Sequence, residues 1–186
     1  MSRFDQPRGD FYSGKMHEED FAGRVDTNNP AYRTALAQAQ RPDHYVPFQA
    51  AVRLVKQFQP WDPTNPGKDL LRDLRLEIVD ALKLEGTQCD RIKSYTAIGT
   101  PLDVLHGIDA FLEWEDPTTR SIRRVTLDLS RRMKSPEELK ADLLIHDLPA
   151  PEEDAYLDAI ANYGTRAVGK LRSAKREPLP SPPTDA

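Results

Sequence analysis

Gly107-Ile-Asp-Ala-Phe-Leu-Glu-Trp114 and Ile122-Arg-Arg-Val-Thr-Leu-Asp-Leu-Ser130, joined by Glu115-Asp-Pro-Thr-Thr-Arg-Ser121, decide the fold. Both arms alternate with the period of two that strands show. Ile108, Ala110, Leu112 and Trp114 share one face of the first arm. Val125, Leu127 and Leu129 share one face of the second. The link carries Asp116, Pro117 and two threonines, which is turn chemistry. A turn centred on Thr118 and Thr119 sets Ile108 opposite Leu129, Ala110 opposite Leu127 and Leu112 opposite Val125. On the other face Glu113 meets Arg124, Phe111 meets Thr126, and Asp109 meets Asp128. Directly opposed carboxylates repel. A hard divalent cation such as Mg²⁺ or Mn²⁺ between them reverses the sign; solvation on a wet sheet face is the alternative.

The remaining chain surrounds this hairpin with helices. Net charge is −4 over 186 residues, which excludes a generally basic nucleic-acid binder. The single cysteine, Cys89, excludes an internal disulfide framework and a cysteine-based zinc site. No stretch has the apolar length of a membrane span, so the sequence reads as a soluble cytoplasmic protein without a membrane partner.

Residues 1–28 lack apolar periodicity and read as a disordered or partner-ordered arm. Phe4, Phe11, Tyr12 and Phe21 in that arm are either exposed side chains or anchors for a protein partner. Residues 29–175 read as one α/β domain. Asn28-Asn-Pro30 caps a short helix to about Gln40, and Val46–Gln59 forms a second. Lys68 to about Leu84 is the strongest helix, with Leu70, Leu71, Leu74, Ile78, Ala81 and Leu82 on a wide stripe. Glu77 lies inside that stripe, either at its rim or buried and paired. A short strand over Arg91–Thr96 and a loop over Ala97–His106 lead into the hairpin. His106 reads either as a packed or surface residue or as a ligand or base, and Cys89 as a small packed residue.

Ser135-Pro-Glu-Glu138 predicts a short helix start. Asp142–Asp147 has the length of a buried strand. A long helix runs from Glu152 to about Ala174, acidic at its start and basic at its end. Residues 176–186 are proline-rich and read as a disordered tail.

From Lys68 the order helix, strand, strand, strand, helix, strand, helix, with acids on the first helix and both hairpin arms, resembles the core of the PD-(D/E)-x-K nuclease-like superfamily. The resemblance covers roughly residues 68–147. It implies a restriction-endonuclease-like α-β-β-β-α-β core with a mixed sheet, extra N-terminal helices and a long C-terminal helix. Asp109 matches the second-strand aspartate, Asp128 the third-strand acid, and Glu77 the helical glutamate. Two residues after Asp128 stands Ser130, where the family pattern has lysine. Lys134 is then the candidate to orient and activate the attacking water, because arginine stays protonated and does not replace lysine there.

An active member would hold Mg²⁺ or Mn²⁺ on Asp109, Asp128 and Glu77 and hydrolyse phosphodiesters of DNA or RNA. Arg123, Arg124, Arg131 and Arg132 would contact backbone phosphates, or else protect a hairpin edge by charge. The alternative is a catalytically inactive nuclease-like fold serving as an interaction or structural component of a larger assembly. An unrelated α/β binding domain is the third reading.

Overall fold

In the computed structural model, which describes residues 14–178, the hairpin is the centre of a mixed five-stranded sheet. Strands β1 (Ile92–Thr96), β2 (Ala110–Asp116) and β3 (Ser121–Ser130) form an antiparallel meander. Strand β4 (Leu143–His146) runs parallel to β3, and the two-residue β5 (Glu177–Pro178) pairs antiparallel with the start of β3. The helices are α1 (Gly14–Ala22), α2 (Pro30–Ala39), α3 (Phe48–Gln57), α4 (Asp69–Ala81), α5 (Pro101–His106) and α6 (Ala155–Ser173). No helix among the described residues is long and apolar enough to cross a membrane.

The β2–β3 register is the one the alternation and the Thr118–Thr119 turn predict: Ala110 opposes Leu127, Phe111 opposes Thr126, Leu112 opposes Val125 and Glu113 opposes Arg124. Asp116 fixes the turn by accepting hydrogen bonds from the Thr118 and Thr119 N–H groups. The ladder ends two pairs early, however, at Ala110–Leu127, so Asp109 is not paired across the strands with Asp128. Ile108 does not face Leu129, and Asp109 is not a strand residue. The Asp109 N–H donates to the Leu127 carbonyl at 2.9 Å, and Ile108 packs in the core of the opposite sheet face.

Both faces of the sheet are covered. Helices α4, α6 and the end of α1 pack on the face of Ala110, Leu112, Val125, Leu127 and Leu129. Helices α2, α3 and α5 pack on the face of Tyr95 and Phe111. Leu112 and Leu127 are fully buried, and burial of each contributes about 1.5–3 kcal/mol. The edge strand β1 is closed by its surroundings. Ser94 N–H donates to the Pro63 carbonyl, and the Gln59 amide both accepts from Thr96 N–H and donates to Thr96 carbonyl. Gln59 thereby takes the place of a neighbouring strand.

Four sequence expectations need correction. Residues from Gly14 belong to the domain: α1 packs on α4, and Ala22 and Val25 are fully buried. The contact is made by the end of one short helix and the extended chain after it, which leaves no periodic signature. Residues 1–13, with Phe4, Phe11 and Tyr12, lie outside the described residues; Phe21 packs against the core. The segment after Ser135 forms turns rather than a helix. Its cap chemistry is present, but Leu139 is its one large apolar residue, too little to hold a helix against the sheet. Pro101–His106, read as a loop, is a short helix with Thr100 as its N-cap and Pro101 in its first turn. The final strand ties Glu177 and Pro178 to β3, so the boundary at residue 175 falls two to three residues early.

Candidate acidic site at the ends of strands β2 and β3

Asp109 and Asp128 lie at the same end of the sheet and are held differently. Where the β2 ladder stops, the Asp109 carboxylate takes over as acceptor, and Leu129 N–H donates to its Oδ2 at 2.7 Å. Burial pushes the Asp109 carboxyl up to about 7; the Leu129 bond acts against this, and the charges of Glu18, Asp103 and Asp128 add to it. Near neutral pH this group therefore exchanges a proton.

Asp128 points to the α3-side face of β3, beside Arg124 and Thr126. The chain after Ser130 turns back and brings Lys134 onto it. Lys134 Nζ donates to Asp128 Oδ1 at 2.7 Å and to Oδ2 at 2.6 Å. The Asp128 side chain is 4% exposed and that of Lys134 is 25% exposed. An ammonium thus occupies both oxygens of a buried carboxylate. Ser130 Oγ accepts from Arg132 N–H and secures the start of the turn.

Glu77 is not brought to this end. It sits at the rim of the α4–α6 contact against Gly164, and it lines a groove with Asp73, Asp80 and Asp158. Among the described residues no three His, Cys, Asp or Glu side chains form a set that could hold a metal ion. The donor set as positioned does not fit Mg²⁺ or Mn²⁺: Asp128 already carries a cation, Asp109 Oδ2 is held by the Leu129 N–H, and Glu77 is elsewhere.

The chain matches no known protein family, no curated protein and no solved structure.

The basic segment is also spent largely inside the fold. Arg123 donates to Asp116 Oδ2 and to the Arg172 carbonyl, and its guanidinium lies over the Trp114 ring. Arg124 donates to Glu113 and to Glu177 and lies over Phe111. Arg132 pairs with Glu138 at the surface, and Arg131 is exposed. Of these four, Arg123 and Arg124 are closed to a phosphate backbone. His106 Nε2 lies 3.0 Å from the Val46 carbonyl between Tyr45 and Phe48, a packing position. Cys89 bonds the Leu84 carbonyl.

One charged constellation escaped the sequence. Glu113, with a fully buried side chain, accepts from Lys56 Nζ at 2.6 Å and from Arg124 Nη2 at 2.6 Å. Glu177 of β5 accepts from the far side of the same guanidinium. This chain of four charges clamps α3 and the C-terminal strand onto the sheet. Part of its signal was present: Lys56 stands four residues after Val52, at the edge of the buried stripe of α3, and the fully buried Glu113 is the charge that requires a partner.

Proposed function

We propose that this chain is an inactive nuclease-like domain that serves as an interaction or structural component of a larger assembly. Its order of helix, three-stranded meander and parallel fourth strand resembles the PD-(D/E)-x-K core, with turns in place of the helix between the third and fourth strands. The observation that carries the proposal is the bidentate Lys134–Asp128 pair. In an active site of this type the third-strand acid must offer its oxygens to a metal ion; here an ammonium holds them. The Asp109 carboxylate serves the backbone of Leu129 in the same way. Two acids at the expected positions thus act as fasteners at the end of the sheet. The test is a titration of the protein with Mg²⁺ and Mn²⁺, followed by thermal melting and by incubation with plasmid DNA and with RNA. The proposal expects no thermal shift and no cleavage.

A second reading, a Mg²⁺- or Mn²⁺-dependent nuclease, is favoured by one observation. A lysine does reach the third-strand acid, from Lys134 rather than from position 130. That reading requires Asp128 to exchange its ammonium partner for a metal ion, and metal-dependent cleavage abolished by Asp128→Asn would establish it.

A further inference from the structure

Helices α4 and α6 pack side by side and leave a groove of about 560 Å³ along their outer surface. Leu76, Leu157, Ile160 and Ala161 supply its apolar surface. Leu76 is 51% exposed and Leu157 is 70% exposed, although both stand on helices whose other large aliphatic residues mostly face the core. Two exposed leucines on neighbouring helices, rimmed by charge, are the form an interaction surface takes.

The rim decides what fits. Asp73, Glu77, Asp80 and Asp158 line the groove, and among the described residues no lysine, arginine or histidine does. Asp73 is engaged by Arg72 and by the Tyr156 hydroxyl. The ion pairs of the described residues include none made by Glu77, Asp80 or Asp158. Two copies of this surface facing each other would set carboxylates against carboxylates, so a symmetric pairing of the chain through it is disfavoured.

We infer that the α4–α6 groove docks an amphipathic helix of a partner protein, with an aliphatic stripe seated on Leu76 and Leu157 and lysine or arginine on its flanks. The inference rests on the reading of the chain as an interaction component and names the chemistry of its partner. The mode is a helix laid into a two-helix groove, with apolar contacts giving affinity and rim charges giving orientation. Glu77 then has a place in function away from the Asp109–Asp128 end: its carboxylate belongs to the rim that reads the partner's cations.

The test uses the full chain and a synthetic helical peptide with leucines at every third or fourth position and lysines between them. The control peptide has glutamate in place of each lysine. Binding is followed by fluorescence anisotropy at two salt concentrations. The lysine peptide is expected to bind and to weaken with salt, and the glutamate peptide not to bind. The variant Leu76→Ser/Leu157→Ser keeps the net charge and changes two exposed side chains, so its melting temperature should stay near that of the wild type. It should bind at least tenfold more weakly. Asp80→Asn/Asp158→Asn should weaken binding and flatten its salt dependence.

The inference is overturned by absence of binding, by equal binding of the two peptides, or by unchanged affinity in the serine variant. It is also overturned by a concentration-dependent dimer of the chain that the serine variant abolishes, since the occupant is then a second copy. Each of these outcomes leaves the interaction reading standing; that reading fails separately, on metal-dependent nuclease activity.

Discussion

Lys134 Nζ holds both carboxylate oxygens of Asp128, at 2.7 and 2.6 Å, across a turn of six residues. The pair closes the end of β3 where a metal-dependent hydrolase would need an open acid. Lys134→Met should leave the Asp128 charge buried without its partner and cost about 2–4 kcal/mol, since breaking a buried pair from one side is strongly destabilising. Lys134→Met/Asp128→Asn should recover part of that loss. Urea unfolding of the two variants checks the order.

Asp109 sets a pH dependence. Its folded-state pKa is raised to about 7, above the ordinary aspartate range. A raised folded pKa contributes stability that is complete below the unfolded pKa of about 3.9 and is lost as pH rises through the folded value. Asp109→Asn keeps an acceptor for Leu129 N–H and removes the titration. The variant should match the wild type near pH 4 and exceed it at pH 8 by on the order of 2–4 kcal/mol, at about 1.4 kcal/mol per pKa unit. Melting temperatures across this range, with equal dependence in both proteins as the adverse result, decide the point.

The Glu113 network predicts an order of losses. Glu113→Ala strands Lys56 and Arg124 and should cost about 3–5 kcal/mol. Removing Glu177, one-third exposed in its side chain, leaves Arg124 still paired with Glu113 and should cost only about 1 kcal/mol. Chemical denaturation of the two variants would contradict the network if the losses were equal or reversed.

How much of this was legible depended on which residues faced which neighbours. The β2–β3 register followed from alternation together with the turn centred on Thr118 and Thr119: a one-residue slip would send Leu112 and Val125 to the wrong face, and the turn excludes a slip of two. The helices of the second layer were legible, but that they bury the other face of the hairpin was less so. Its face of the hairpin reads as Phe111 among Glu113, Arg124, Thr126 and Asp128, a mostly polar set that resembles a wet surface. An apolar cluster around Phe111 buries it, and Lys56 and Lys134 compensate the charges of Glu113 and Asp128 there, which hydrophobic periodicity does not register. The break at Asp109 was hidden for a related reason. A side-chain oxygen replaces a backbone acceptor there, so the ladder stops without interrupting the alternation. The short helix at Pro101 carried the same cap-and-proline signature as Asn29-Pro30, but too few residues to show a stripe.

The placement of Glu77 is tested through Gly164. A Cβ at Gly164 would stand 2.3 Å from Glu77 Cγ and 3.0 Å from its Cβ. Gly164→Ala should therefore destabilise by about 1–3 kcal/mol through overpacking, although alanine is the better helix former by about 1 kcal/mol. Glu77→Ala in the same chain should restore stability to the wild-type level or above. Additive effects of the two changes in thermal melting would place Glu77 away from α6.

Asp109 and Asp128, on the function proposed here, fasten the fold and do not hold a catalytic metal. Thermal melting of the wild type in millimolar Mg²⁺ or Mn²⁺ tests this role most directly, because a ligand that binds only the folded state must raise its melting temperature. The melting temperature should be unchanged by either ion in the wild type and in Asp128→Asn. A metal-dependent rise in the wild type that Asp128→Asn abolishes would contradict that role.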